Sequence, residues 1–244
     1  MRKAGEPKRP RLDFYISKTT ELSRREARQA IRAGRVNIAE RGDERLKGQT
    51  PVDPQDNVYL DGKRLTLETG PRYYMLNKPE GVVSATQDDY DPTVLGLLEP
   101  GERQDLHPVG RLDKDATGLI LLTTDGEWGH RIASPRRGCR KVYRVVVADP
   151  LEETDVEQLR EGVTLRGEEQ PTCPVAVEHI GERQLRLTLS EGRYHQVKRM
   201  VGAVGNRVTQ LHREQIGNIV LDESLAPGDY RHLTAEEISG EAED

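Results

Sequence analysis

The 244-residue sequence predicts an α+β fold. Segments with strand-like alternation outnumber segments with helical periodicity, and the two kinds do not alternate regularly along the chain, which disfavours a doubly wound parallel sheet. At about 100–200 residues per domain, the length fits one large domain or two small ones. The predicted strands become longer after Pro71, so a small αβ module is expected before that residue and a larger domain after it.

Residues 11–67 form the first predicted module. Ser23 and Glu26 have the spacing of a helix capping box, so a helix is expected to begin there and to stop near Gly34. Alternating residues predict strands at 36–38, 58–60 and 64–67. With about 55 residues, this module is near the lower limit for independent folding.

The larger domain is predicted at 72–238, between a linker at 68–71 and an acidic tail at 239–244, and a flexible basic arm is expected at 1–10. Its strand candidates are 73–76, 119–124, 141–147, 175–179 and 185–189. Helices are predicted near 152–162 and 194–204, with a short capped helix after Thr234.

The formal net charge of −5 is unevenly distributed along the chain. Residues 1–40 hold eleven basic and five acidic residues, a net charge of +6, whereas residues 222–244 hold one basic and eight acidic residues, a net charge of −7. Eight of the eleven basic residues are arginines, whose planar guanidinium groups suit bidentate phosphate contacts. The acidic average therefore does not exclude a nucleic-acid partner, and it predicts weak, salt-sensitive binding to generic RNA.

Several classes of protein are disfavoured by composition. No apolar run exceeds four residues, the length of 119–122, which is far below the roughly 18 residues that a membrane-spanning helix needs. Charges and prolines follow Met1 where a secretory signal would be apolar, so a cytoplasmic location is expected. Cys139 and Cys173 cannot build a disulfide framework and are expected to be reduced thiols. The six histidines lack zinc-ligand spacing.

One segment has the pattern of an active-site loop, Gly110-Arg111-Leu112-Asp113-Lys114-Asp115-Ala116-Thr117-Gly118. Glycines flank two carboxylates and an apolar strand follows, so a carboxylate here would be exposed to a ligand on a rigid support. The residues alone leave three interpretations open. The aspartates shape a turn, form the acid–base pair of a glycosidase, or bind a divalent metal ion.

This segment resembles the G-R-L-D-x-D-x-x-G motif of the RsuA-type family of pseudouridine synthases. Four further segments resemble motifs of that family in the same order, at 76–81, 141–143, 191–200 and 211–217. Residues 11–36 are similar to the S-four-type RNA-binding module of the same proteins. The resemblance covers 11–238 and implies a mixed, mainly antiparallel sheet for the catalytic domain. The segment 193–200 is most similar to members that act on small-subunit rRNA.

The resemblance also implies an activity, which is conversion of uridine 516 of 16S small-subunit rRNA to pseudouridine without a cofactor or a metal. Asp113 would be the essential carboxylate, acting at ribose carbon 1′ or by another route of glycosidic cleavage. Tyr143 would stack on the flipped base, and Lys198 would pair with Asp113. Arg111 would fill the space that the base leaves, and Leu211 would pack beside the site.

The RNA contacts expected from the resemblance involve both domains. In the first module they are Arg11, Arg24, Arg25, Arg28, Arg32 and Arg35. In the second domain they are Asn77, Lys78, Arg193 and Arg199. The implied partner is small-subunit rRNA in an assembling 30S particle, bound by a monomer. His195 and His212 are expected to be structural or to contact RNA.

Three alternatives to this function stay open at the level of sequence. The first is a pseudouridine synthase acting on 23S rRNA or tRNA. The second is a non-catalytic rRNA-binding assembly factor that kept the fold. The third is a metal-dependent hydrolase that uses Asp113 and Asp115.

Overall fold

The computed structural model describes residues 9–42, 44–67, 70–133 and 139–240. The chain divides into two units, one formed by 1–70 with 99–104 and the other by 71–98 with 105–244. Most of the expected basic arm, half of the expected linker and most of the expected acidic tail lie outside the described residues.

The first unit packs two helices against a small antiparallel sheet. Its elements are α1 (Leu12–Thr19), α2 (Arg24–Arg32), β1 (Val36–Ile38), β2 (Val58–Leu60) and β3 (Lys63–Leu65). The strands pair in the order β1–β2–β3. Both hydrogen bonds of the capping box between Ser23 and Glu26 are present at the start of α2, as predicted. The apolar faces of both helices and the sheet share one buried core.

The second unit is built on a mixed sheet of nine strands within the described residues. The strands are β4 (Tyr73–Lys78), β5 (His107–Val109), β6 (Thr117–Thr123), β7 (Lys141–Val147), β8 (Ala176–Gly181), β9 (Gln184–Leu189), β10 (Val208–Ile216), β11 (Ile219–Val220) and β12 (Tyr230–His232). Their order is β12–β4–β6–β10–β7–β9–β8, with β5 paired to β6 and β11 to β10. Strand β10 runs parallel to β6, and the other strand pairs are antiparallel.

Four helices accompany this sheet in the described residues. They are α3 (Gly126–Ala133), α4 (Glu153–Glu161), α5 (Gln196–Ala203) and α6 (Ala235–Ser239). Short 3-10 turns occur at Ala39–Arg41 and Val94–Leu97. Apolar clusters fill the faces of the sheet, and α5 contributes Val197, Met200 and Val201 to one of them, as its spacing predicted.

Every strand and helix predicted from periodicity is present, with its ends within two residues of the expected ones. Helices α1 and α3 and strands β5, β10, β11 and β12 were not predicted. Helix α1 has apolar residues at helical spacing, but Arg11 at its N-cap makes no side-chain capping hydrogen bond, so the start signal is missing. Strand β10 contains two register shifts, which break the period of two that would have marked it.

Strands β6 and β10 join the two halves of the sheet at Gly118. In the parallel register Gly118 lies opposite Arg213. The φ angle of Gly118 is +99°, and a Cβ atom there would lie 2.3 Å from the Arg213 carbonyl oxygen and 2.8 Å from its nitrogen. The glycine that ends the 110–118 motif is therefore required by backbone packing, because any side chain would push the two strands apart.

We expect Gly118→Ala to lower the free energy of unfolding by about 2–5 kcal/mol, because it combines left-handed backbone strain with a steric overlap. Chemical denaturation measures this. Gly81→Ala is the matched control, since Gly81 has φ +85° but a Cβ atom there would meet nothing within 4 Å. Equal destabilisation of both variants would show that strand proximity at Gly118 contributes nothing.

Candidate active site

The aspartate loop, defined here as residues 110–116, connects β5 to β6 and carries Asp113. Leu112 anchors the loop with a buried side chain. The Ser84 hydroxyl accepts a hydrogen bond from the Leu112 N–H at 3.0 Å and donates one to the Leu112 carbonyl at 2.8 Å. The Asp113 carbonyl accepts from the Ala116 N–H at 3.1 Å, which closes a tight turn. The backbone that presents Asp113 is thus fixed on both sides.

A buried lysine holds the other side of this loop. Lys78 is 0% exposed, and its ammonium group donates to the carbonyls of Pro79 (2.9 Å), Lys114 (3.2 Å) and Ala116 (2.8 Å). Burial lowers the pKa of Lys78 to about 8, against the opposing effect of Asp115 and Asp113. At neutral pH the group is an ammonium whose three hydrogens all have acceptors.

A buried arginine holds the loop from strand β10. Arg213 is 2% exposed, its Nε donates to the Leu119 carbonyl at 2.7 Å, and its Nη1 donates to the Arg111 carbonyl at 3.2 Å. Hydrogen bonds from a charged donor are about twice as strong as neutral ones. Strand β10 therefore supports the aspartate loop through the side chain of Arg213 as well as through its pairing with β6.

A lysine in the first turn of α5 contacts both carboxylates of the loop. Lys198 Nζ lies 3.0 Å from Asp113 Oδ2 and 2.6 Å from Asp115 Oδ1. Its hydrogen bond lowers the pKa of Asp115, against the effect of burial. Burial would lower the pKa of Lys198, but the bonds to Asp115 and Asp113 outweigh it and raise that pKa. The expected Lys198–Asp113 contact is present, and Asp115 shares the lysine.

His195 is a second neighbour of Asp113 for which the sequence offered no specific role. Its Nε2 lies 3.4 Å from Asp113 Oδ1. The backbone of His195 is left-handed, with φ +47°, a conformation that is uncommon for a residue other than glycine. The ring stacks on Tyr194 at a centroid distance of 3.9 Å, and Tyr194 is 77% exposed. Strain at this position turns the imidazole toward the carboxylate and leaves an aromatic face open to solvent.

These groups border a cavity of about 690 Å³ within the second unit, a size suited to a small ligand or one flipped nucleotide. Three of the residues expected at the site, Arg111, Tyr143 and Leu211, line this cavity together with Asp113 and Lys198. Tyr143 and Leu211 lie on β7 and β10 and are largely buried, whereas Arg111 is exposed.

The other side chains expected to contact RNA in this unit are engaged within the protein. Arg193 and Arg199 both donate to Glu168, at 2.7 Å and 2.6 Å. Asn77 is 8% exposed, and its amide donates to the Leu225 carbonyl at 2.8 Å. In this conformation Asn77 and Lys78 do not present their polar ends to solvent, and their contact with RNA stays a prediction.

In the first unit, a buried carboxylate organises three of the arginines. Asp13 is 0% exposed and accepts hydrogen bonds from Arg11 (3.1 Å), Arg24 (3.1 Å) and Arg28 (2.7 Å). Burial alone would raise the pKa of Asp13, but the bonds from Arg28 and Arg24 lower it overall. The three guanidinium groups remain about half exposed, so they form an ordered basic surface.

The other arginines expected to contact RNA in this unit lie on α2 or directly after it. Arg25 and Arg32 are exposed on α2. Arg35, just after α2, pairs with Asp61 in the turn between β2 and β3.

Over the described ranges, no group of three or more His, Cys, Asp or Glu side chains is placed to hold a metal ion. Cys139 and Cys173 are free thiols, as expected. No helix in these ranges is long and apolar enough to cross a membrane.

Known proteins share both the sequence and the fold. A family model described as "RNA pseudouridylate synthase" matches residues 72–203. "Ribosomal small subunit pseudouridine synthase A" of Yersinia pestis is 48% identical over 94% of this chain and 97% of its own length. The protein of the same name from Escherichia coli strain K12 is 48% identical over 94% and 98%. A solved structure, "Crystal structure of pseudouridylate synthase", has a TM-score of 0.68 and 45% identity, covering 94% and 98% of the two chains.

A carboxylate on a rigid loop, beside a lysine and over a cavity, is the arrangement of an enzyme that acts on a bound ligand. The chain belongs to the RNA pseudouridylate synthase family, in its RsuA-type branch. It is therefore an isomerase that modifies RNA. The interpretations of Asp113 and Asp115 as a glycosidase pair or as a hydrolase metal site are wrong for this family.

We expect Lys78→Met to lower the free energy of unfolding by about 3–5 kcal/mol, because two carbonyls of the aspartate loop and that of Pro79 would lose their donor in the interior. Pseudouridine formation should fall as well, since the loop that carries Asp113 loses a support. Thermal unfolding and single-turnover assays measure the two effects. Lys114→Met is the control, because Lys114 is exposed and pairs with Asp91 at the surface. A stable Lys78→Met protein with weakened RNA binding would instead favour the RNA-contact role.

Proposed function

We propose that this protein converts uridine 516 of 16S small-subunit rRNA to pseudouridine, with Asp113 as the carboxylate that acts on the nucleotide. The observation that carries the proposal is the placement of Asp113 on the fixed aspartate loop, 3.0 Å from Lys198 and facing the cavity. An acting carboxylate must be ionised, and an adjacent ammonium group favours the ionised form.

The arrangement suits the chemistry of base isomerisation. The target base must leave its stack, which costs a few kcal/mol, and stacking on an aromatic side chain offsets part of that cost. Tyr143 supplies such a ring on the cavity wall, and Arg111 is exposed at its edge. Asp113 then acts at the ribose while the N-glycosidic bond breaks, and the base rotates and rejoins through carbon 5.

The substrate assignment rests on the relatives, which are named as small-subunit enzymes and match over 94% of this chain. The segment 193–200, which carries Lys198 and His195 at the site, has a sequence similar to that of this group. In cells the substrate is proposed to be an assembling 30S particle, bound in the cytoplasm by one copy of the chain. 23S rRNA and tRNA are the alternative substrates that a modification map would reveal.

Residues 11–67, which lie within the first unit, are proposed to be the RNA-binding domain, joined by residues 68–71 to a catalytic domain at 72–238. The ordered basic surface around Asp13 supports this RNA-binding role, because preorganised guanidinium groups lose little conformational freedom when they bind phosphate.

We expect Asp113→Asn to bind rRNA normally but to lower the rate of pseudouridine formation by at least about 10³-fold, because the neutral amide cannot act as a nucleophile or base. Release of tritium from RNA labelled at uridine carbon 5 measures the rate. In cells lacking the protein, the variant should fail to restore the modification at position 516.

Asp115→Asn is the matched control for this experiment, because Asp115 contacts the same lysine but its side chain is 64% exposed. We expect its rate to fall by about tenfold or less, since solvent screens an exposed pair. Full activity of Asp113→Asn would refute the proposed role of that carboxylate.

The double variant Arg25→Glu/Arg32→Glu should weaken rRNA binding by about tenfold or more at low salt and flatten its salt dependence, because phosphate contacts release counterions. Unfolding should change little, since both side chains are exposed. Filter binding over a salt series measures the effect. Arg207→Glu, an exposed site outside the cavity lining, is the control, and equal weakening by both would argue against a specific surface on α2.

A further inference from the structure

Two cationic side chains that line the cavity beside Tyr143, Lys141 and Arg213, have donor groups that the contacts described above do not use. Lys141 and Tyr143 are two residues apart on β7, so their side chains lie on the same face of the sheet. Arg213 lies opposite Tyr143 on the neighbouring strand β10. All three residues line the cavity, so two cations lie near the ring expected to stack on the base.

Both cations have donors that the protein does not use. Nη2 of Arg213 is buried and has no hydrogen-bond partner, although Nε and Nη1 of the same group are bonded. For the Lys141 ammonium, the part of the chain that the structure describes offers no hydrogen bond and no ion pair. Burial lowers the pKa of Lys141, and the Arg213 charge adds to this while Cys139 opposes it.

The unpaired Nη2 of Arg213 and the Lys141 ammonium near it are an unfavourable combination within the protein. A buried donor without an acceptor costs free energy, and two neighbouring cations repel each other. A ligand that brings acceptor oxygens with negative charge to this face would relieve both costs. The proposed reaction creates such a group. When the C1′–N1 bond breaks, its electron pair stays on N1, and the charge of the resulting uracil anion spreads to O2 and O4.

We propose that Lys141, with the free Nη2 of Arg213 beside it, donates hydrogen bonds to the carbonyl oxygens of the detached uracil and stabilises its negative charge. This inference rests on the proposed function and adds a catalytic residue to it. The anion then forms the C1′–C5 bond with its own electron pair, C5 loses its proton, and N1 gains one. Charge on the base is greatest between cleavage and rejoining, so the donors act more strongly on that state than on bound uridine.

The first experiment separates catalysis from binding. At saturating rRNA, Lys141→Met should lower the single-turnover rate of pseudouridine formation by about 10²–10³-fold, the loss typical of removing a charge-stabilising donor, while Kd changes by less than about threefold. Lys141→Arg keeps a cationic donor and should recover at least about a tenth of the wild-type rate. Arg140→Met, an exposed neighbour outside the cavity lining, is the matched control and should behave as wild type.

The second experiment varies the stability of the leaving base. Fluorine at carbon 5 stabilises the uracil anion, so cleavage of 5-fluorouridine at the target position should depend less on Lys141. Disappearance of the N-linked nucleoside after RNA digestion measures cleavage. The fold-loss caused by Lys141→Met should be several times smaller for 5-fluorouridine than for uridine. A lysine that only supports the fold would give equal losses for both substrates.

Three outcomes would overturn the inference. These are an unchanged rate for Lys141→Met, a rate loss matched by an equal loss of rRNA affinity, or equal losses with both bases. Each can be distinguished from failure of the proposed function, because in that case the wild-type protein itself forms no pseudouridine in the rRNA.

Discussion

The geometry of the candidate active site depends on the hydrogen bonds that two buried cations donate to backbone carbonyls. Lys78 and Arg213 come from β4 and β10, the two neighbours of β6, and bind carbonyls of the aspartate loop and of β6 itself. Hydrogen bonds to carbonyl acceptors offset much of the cost of burying a charge. Each cation thus stabilises the loop, and the loop in turn makes burial of the cation possible.

Lys78 and Arg213 also contribute to the electrostatics of the cavity, together with the other cations near it. Asp113 and Asp115 face Lys198, while Lys78, Lys141 and Arg213 add positive charge within or behind the lining. The cavity is therefore cationic although the whole chain carries −5. A locally positive cleft attracts a polyanion even where the protein as a whole is acidic.

The sequence predicted those features that depend on local pattern or on a motif. Clean periodicity located the strands and helices, and the 110–118 motif located Asp113. The inward direction of Lys78 could not be predicted, because a lysine before a turn has the same local pattern whether it faces RNA or the core. Likewise, Arg193 and Arg199 were expected to contact RNA, and their ion pairs with Glu168 were not predicted. Glu168 lies 25 and 31 residues away from them in the chain. Long-range ion pairs leave no periodic signal.

The close approach of Gly118 to Arg213 also has a consequence for biosynthesis. The hydrogen bond from Arg213 to Leu119 joins positions 94 residues apart, and closing such a long loop is entropically costly and slow. During translation, a nascent chain that already contains the whole aspartate loop still lacks the strand that completes its support. The candidate active site therefore forms late, only after residues up to about β10 have left the ribosomal exit tunnel. Nascent or truncated chains would display the motif without the activity.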